Sequence, residues 1–188
     1  MNDKHQFRAN WHNYNEGIFF VTICTSKRAQ ILGHISNATM QPSALGIVVE
    51  AHIKSIPTHY ADVQLWNYVM MPNHVHLVLS VGARFIAPAP ATAIIFKGNH
   101  VGCLKPSNHC DGDVNLHHNS RLSAVIGAFK AGVTRVVRAR RIAPLPCWQS
   151  RYHEHIVRNR IELDLIMKYI DNNVATWDHD CFRQIDLD

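Results

Sequence analysis

Residues 65–81 constrain the fold of this chain more than any other stretch. Residues 65–71 (LWNYVMM) and 74–81 (HVHLVLSV) are both rich in β-branched and aromatic side chains. Pro72 and Asn73 between them supply a tight turn, so the pattern predicts an antiparallel hairpin. Along a strand, successive side chains point to opposite faces, so His74 and His76 project to one side while Val75 enters a core on the other.

The flanking segments extend this frame. Residues 18–25 (IFFVTICT) read as a further strand. From Ser43 to about Ile56, Leu45, Val48, Val49, His52, Ile53 and Ile56 recur at helical spacing, with Ser43 at the start and Pro57 just past the end. Residues 120–141 form a second helix, with an apolar stripe of Leu122, Val125, Ile126, Phe129, Val133, Val136 and Val137 and arginines crowded at its C-terminal end. Residues 148–157 (WQSRYHEHIV) read as a strand. Asn159 then caps a last helix running to about Asn173, with Glu162 as its capping-box partner. Between the hairpin and the second helix, residues 83–119 lose periodicity and fill with Pro, Gly, Asn and His, as a long loop insertion would. The order β, α, β, β, long loop, α, β, α predicts a single α+β domain over residues 1–188. Its expected architecture is a ferredoxin-like antiparallel sheet with helices packed on one face.

Composition limits the function classes. The 188 residues suffice for one core, and 47% hydrophobic with 18% charged residues is ordinary for a globular protein. No apolar run is long enough for a membrane span, and the first residues lack a signal-peptide core, so a cytoplasmic location is expected. Five scattered cysteines do not suggest a disulfide framework, and reduced thiols are expected. A formal charge of +5 and a pI near 9.1 suit a polyanionic partner such as nucleic acid. The 14 histidines keep metal sites in view.

Three groups of residues carry candidate chemistry. His74 and His76 stand close enough to share one divalent ion, although two histidines lining a polar sheet face would look the same. Tyr169 and Asn173, four apart on the last helix, share a face and address one point in space; an ordinary half-buried aromatic and a helix C-cap are the alternative. Tyr152, between Arg151 and the His153-Glu154-His155 run, is a second candidate nucleophile. A zinc knot among Cys103, Cys110 and the histidines of residues 100–118 matches no paired C-x-x-C spacing.

Taken together, YVMMPNHVHLVLS (residues 68–80), WQSRYHEHIVRN (148–159) and ELDLIMKYIDNN (162–173) resemble the single-tyrosine HUH transposases, nearest to the repeat-associated tyrosine transposases. The opening YNEGIFFVTICTSKR (14–28) is similar to that family's first strand. The resemblance implies that His74 and His76 bind a catalytic Mg2+ or Mn2+, that Tyr169 is the nucleophile, and that Asn173 completes the metal site. It further implies cleavage and rejoining of single-stranded DNA through a 5′-phosphotyrosine at hairpin or palindromic repeats. The family includes dimers and monomers, which leaves a homodimer open. The chain departs from the family in the insertion and in Asn-Val after Asn172, where relatives often carry Asn-Pro. DNA contacts are expected from Lys27, Arg28, Arg135, Arg138, Arg140, Arg141, Arg151 and Arg158. Trp66, Tyr68 and Trp148 are candidates for stacking on bases or for the core.

Overall fold

The computed structural model describes residues 14–82 and 120–183. The expected insertion at 83–119, with the cysteines and histidines of the conceivable zinc knot, lies outside the described residues. Strands β1 (Gly17–Cys24), β2 (Gly33–Ser36), β3 (Thr39–Pro42), β4 (Val63–Met71), β5 (His74–Val81) and β6 (His153–Val157) alternate with helices α1 (Ala44–Lys54), α2 (Ile56–His59), α3 (Arg121–Arg140) and α4 (Arg160–Asn172). The main sheet has the order β4-β5-β1-β6, with every pair antiparallel. Setting aside the small β2-β3 hairpin, this is the ferredoxin-like strand order, and the α+β class is as expected.

Period-two alternation sorts the central strands onto two cores. Phe19, Val21 and Ile23 of β1 and Val75, Leu77, Leu79 and Val81 of β5 pack with Leu45, Val49 and Ile53 of α1 and the buried stripe of α3. Ile18 and Phe20 of β1, Val78 of β5 and Val157 of β6 face the other way, against Leu163, Ile166 and Ile170 of α4. Helices α1 and α3 thus share one face, as expected for all of them, while α4 covers the opposite face. His74 and His76 fall on the α4 side, because they keep the parity of Val78.

The helix starts follow their capping residues. Gly46 N–H donates to Ser43 Oγ at 3.1 Å, Ser123 N–H to Ser120 Oγ at 3.3 Å, and Glu162 N–H to Asn159 Oδ1 at 2.9 Å. Pro57 lies past the end of α1, as expected, and falls in the first turn of the short helix α2, where its missing N–H costs nothing. The strand expected over 148–157 is shorter: only His153–Val157 pairs with β1, and Trp148 makes an isolated bridge to Thr25. Asp62 links the end of β5 to the start of α3, since its carbonyl accepts from Gly82 N–H and its carboxylate pairs with Arg121. Cys24 and Cys147 are free and buried, whereas Cys181 is disulfide-bonded, against the expectation of reduced thiols throughout. No helix among the described residues is long and apolar enough to cross a membrane.

Gly46 gives a test of the packing. A Cβ there would stand 2.1 Å from the Leu32 carbonyl oxygen, a backbone atom unable to give way cheaply. Gly to Ala in a helix ordinarily stabilises by about 1 kcal/mol. Here we expect Gly46→Ala to destabilise by about 1–3 kcal/mol, the usual range for overpacking, as read by urea denaturation.

Candidate active site

The site is built on the first two turns of pleat in β5. His74 and His76 are 0% and 1% exposed, and their Nε2 atoms lie 3.0 Å apart. Each ring is held from behind at Nδ1: His74 by Asn73 Oδ1 at 2.8 Å, His76 by Thr22 Oγ1 at 2.8 Å. Asn73 has its amide nitrogen committed to the Phe182 carbonyl at 2.8 Å, which orients its oxygen toward His74. The network therefore assigns the Nδ1–H tautomer to His74 and leaves its Nε2 lone pair pointing into the site. Metal-bound histidines are held in this way, with the outer nitrogen donating to a carbonyl.

Burial pushes both imidazoles down, His76 to about 3 and His74 well below its ordinary value, the latter also through the neighbouring His76 and Arg28. Both rings are neutral at ordinary pH, as ligation requires. Among the described residues, a third donor joins them: the ligand atoms of His74, His76 and Asp180 lie within 4.8 Å of one another. The Asp180 side chain is 3% exposed, and its Oδ2 lies 3.8 Å from His74 Nε2. Burial raises its pKa, partly offset by the Phe182 N–H and by Arg28. Two neutral imidazoles and a carboxylate clustered at one point fit a divalent cation.

Helix α4 brings Tyr169 to the same point. Its Oη lies 3.4 Å from His76 Nε2, and its ring meets the edges of His76 and Phe20, with centroids at 5.4 Å and 6.0 Å. Burial pushes the phenol up to about 12, Asp180 adds to this, and a hydrogen bond from Asn173 works against it. Asn173 is 1% exposed, and its Oδ1 has no hydrogen-bond partner among the described residues. The structure thus sets Asn173 beside the phenol, with a buried acceptor free.

Tyr152 belongs elsewhere. It is buried in the α1–α3 core, with its Oη 3.1 Å from Ser123 Oγ. Trp148 is also core, and Trp66 is half-buried with its indole N–H on Ser80 Oγ at 3.2 Å. Tyr68 donates to Glu50 at 2.9 Å. All of the cationic side chains expected to contact DNA are exposed. Arg28 lies beside the site, over the Phe182 ring, whereas Arg135, Arg138 and Arg140 sit on α3, against the other face of the sheet.

Sequence reasoning missed Asp180. It stands in a tail without periodicity, after the short turn Trp177–His179, and no spacing rule links it to His74. The tail also covers the pair: Phe182 lies 4.8 Å from the His74 ring and 5.9 Å from the His76 ring, centroid to centroid.

No family model matches the chain. An uncharacterized protein of Haemophilus influenzae is 29% identical over 182 residues, covering 96% of this chain and 93% of its own. The solved structure of a REP-associated tyrosine transposase bound to a REP hairpin matches 94% of this chain and 76% of that one, with a TM-score of 0.56 at 15% identity. A structure from Deinococcus radiodurans, provisionally named a transposase, matches 89% of this chain and 97% of that one, with a TM-score of 0.46 at 15% identity. The chain therefore has the fold of a REP-associated tyrosine transposase, and its second central strand carries an HUH-like histidine pair, His74 and His76.

Proposed function

We propose that this protein is a metal-dependent transposase or endonuclease of single-stranded DNA, cleaving and rejoining strands through a 5′-phosphotyrosine on Tyr169. The observation that carries this reading is the placement, within one chain, of the Tyr169 hydroxyl 3.4 Å from the Nε2 of a buried, paired histidine. A structural phenol has no need of such a neighbour, and a phenol raised to about 12 is a poor nucleophile unless its site helps it ionise.

His74 and His76 would hold the cation, with Asp180 as the third donor and the free Asn173 Oδ1 as a further oxygen near the phenol. When bound, Mg2+ or Mn2+ supplies Lewis acidity toward the scissile phosphate. Tyr169 Oη forms the new bond to phosphorus and the bond to the 3′ oxygen breaks. One proton leaves the phenol and one is taken up by the departing 3′ oxygen, so the charges balance. The phosphotyrosine keeps the diester bond energy, and a 3′-hydroxyl can later reverse the step. The resemblance in sequence and the hairpin-bound structural relative support a hairpin or palindromic repeat as substrate. Exposed arginines would provide the salt-dependent part of the affinity.

The test is a denaturing gel of end-labelled single-stranded DNA, carrying an imperfect palindrome from the DNA flanking the gene, incubated with protein and Mn2+. A labelled species that stays attached to denatured protein is the expected product. Cut DNA without protein attached would make water the nucleophile, and intact DNA would leave only a binding module; either result overturns the reading.

A further inference from the structure

We propose that Arg28 grips the scissile phosphate beside the His74–His76 pair, a role that rests on the reading just given and goes beyond general DNA affinity. The argument starts from register. Cys24, the last residue of β1, is paired with His74, the first residue of β5, so the chain leaving β1 turns at the mouth of the site. It does so through two consecutive non-glycine residues in the left-handed region, Lys27 at φ 54° and Arg28 at φ 56°. Such a residue is strained and persists only where its surroundings enforce it.

The surroundings here do so. Thr25 Oγ1 lies 2.7 Å from the Ala29 carbonyl and 2.9 Å from the Asn73 carbonyl, Thr25 N–H donates to Asn73 at 2.9 Å, and Ser26 N–H donates to the Cys147 carbonyl at 2.9 Å. Asn73 is the residue that also orients His74 and holds Phe182. One buried residue thus fixes the histidine and the tail through its side chain, and the turn that presents Arg28 through its backbone carbonyl.

The Arg28 guanidinium carbon lies 5.3 Å from the centroid of Phe182, whose ring is itself 4.8 Å from that of His74. Stacked on an aromatic face, a guanidinium keeps its N–H edge free, and among the described residues Arg28 forms no ion pair. Its charge reaches His74, His153 and Asp180. An exposed, unspent fork beside the histidine pair matches two non-bridging phosphate oxygens and the charge that spreads over them during phosphoryl transfer. A lysine would supply the charge without the fork.

The experiment compares wild type, Arg28→Ala and Arg28→Lys in single-turnover adduct formation at saturating hairpin DNA with Mn2+, alongside DNA affinity by fluorescence anisotropy. Because Arg28 is exposed, unchanged thermal unfolding serves as the folding control. Arg28→Ala should slow adduct formation about 100-fold or more, the scale for losing one fixed donor at a reacting oxyanion. Affinity for the whole hairpin should fall less than about 3-fold, one phosphate contact among many, and Arg28→Lys should recover only part of the rate. A rate in Arg28→Ala equal to wild type, or one restored fully by more DNA, would assign Arg28 to a distant phosphate and overturn the proposal. If wild type itself forms no adduct, the transposase reading fails and takes this role with it; if wild type reacts and Arg28→Ala matches it, Arg28 alone is misassigned.

Discussion

Tyr169→Phe should abolish the covalent protein–DNA adduct, and Tyr152→Phe should leave it. The substitution removes one oxygen and keeps the ring that packs on Phe20 and His76, so the α4 face stays filled. Loss of a nucleophile leaves no alternative hydroxyl at that position, and the expected fall is at least about 10⁴-fold, the scale seen when one member of a covalent machinery is removed. Tyr152 lies in the other core, on Ser123, and its phenol does not face the histidines. Wild-type adduct formation should also rise with pH between about 6 and 9, because burial and Asp180 raise the phenol and its ionised fraction grows with pH. An adduct that persists in Tyr169→Phe, or a wild-type rate indifferent to pH, would remove Tyr169 from the mechanism.

His76→Ala should cost the protein its divalent metal and, with it, cleavage. Outer-shell changes at metal sites cost about 10–100-fold in affinity, so the loss of a direct donor should exceed that; calorimetry or Mn2+ electron paramagnetic resonance reads it. Asp180→Asn, which keeps an oxygen, should weaken the site less. The same substitution should alter acid stability. His76 is held neutral in the folded state, with its pKa lowered to about 3 by burial, while the unfolded chain takes up that proton near 6.5. Between those values the unfolded state binds more protons, so stability falls as pH drops, by up to about 1.4 kcal/mol per unit for this residue. His76→Ala should flatten that slope in denaturant titrations at pH 7 and pH 5 without metal. Unchanged metal affinity in His76→Ala would exclude the imidazole as a ligand.

Much of this arrangement was legible because it depends on short-range periodicity. Alternation in HVHLVLSV put both histidines on one face and Val75 in the core, and the Ser43, Ser120 and Asn159 caps marked the helix starts. What depends on tertiary choice was harder to read. The β2-β3 hairpin turns through Asn37 and Ala38, both with positive φ, and its mostly exposed four-residue strands give no apolar alternation. The last helix was legible from its Asn159 cap, but nothing local says which sheet face it covers. Asp180 meets His74 across more than a hundred residues, through a tail docked by Trp177 and Phe182, and no spacing encodes that contact. Arg28 could be named as a cation, but its place beside the site follows from the register of β1 against β5.

The imidazoles of β5 and the phenol of α4 meet within a single folded chain. Dilution cannot take such a constellation apart, so cutting of the kind proposed would be first order in protein, with the same turnover per molecule at nanomolar as at micromolar concentration. A cell holding only a few copies would still hold complete nucleases.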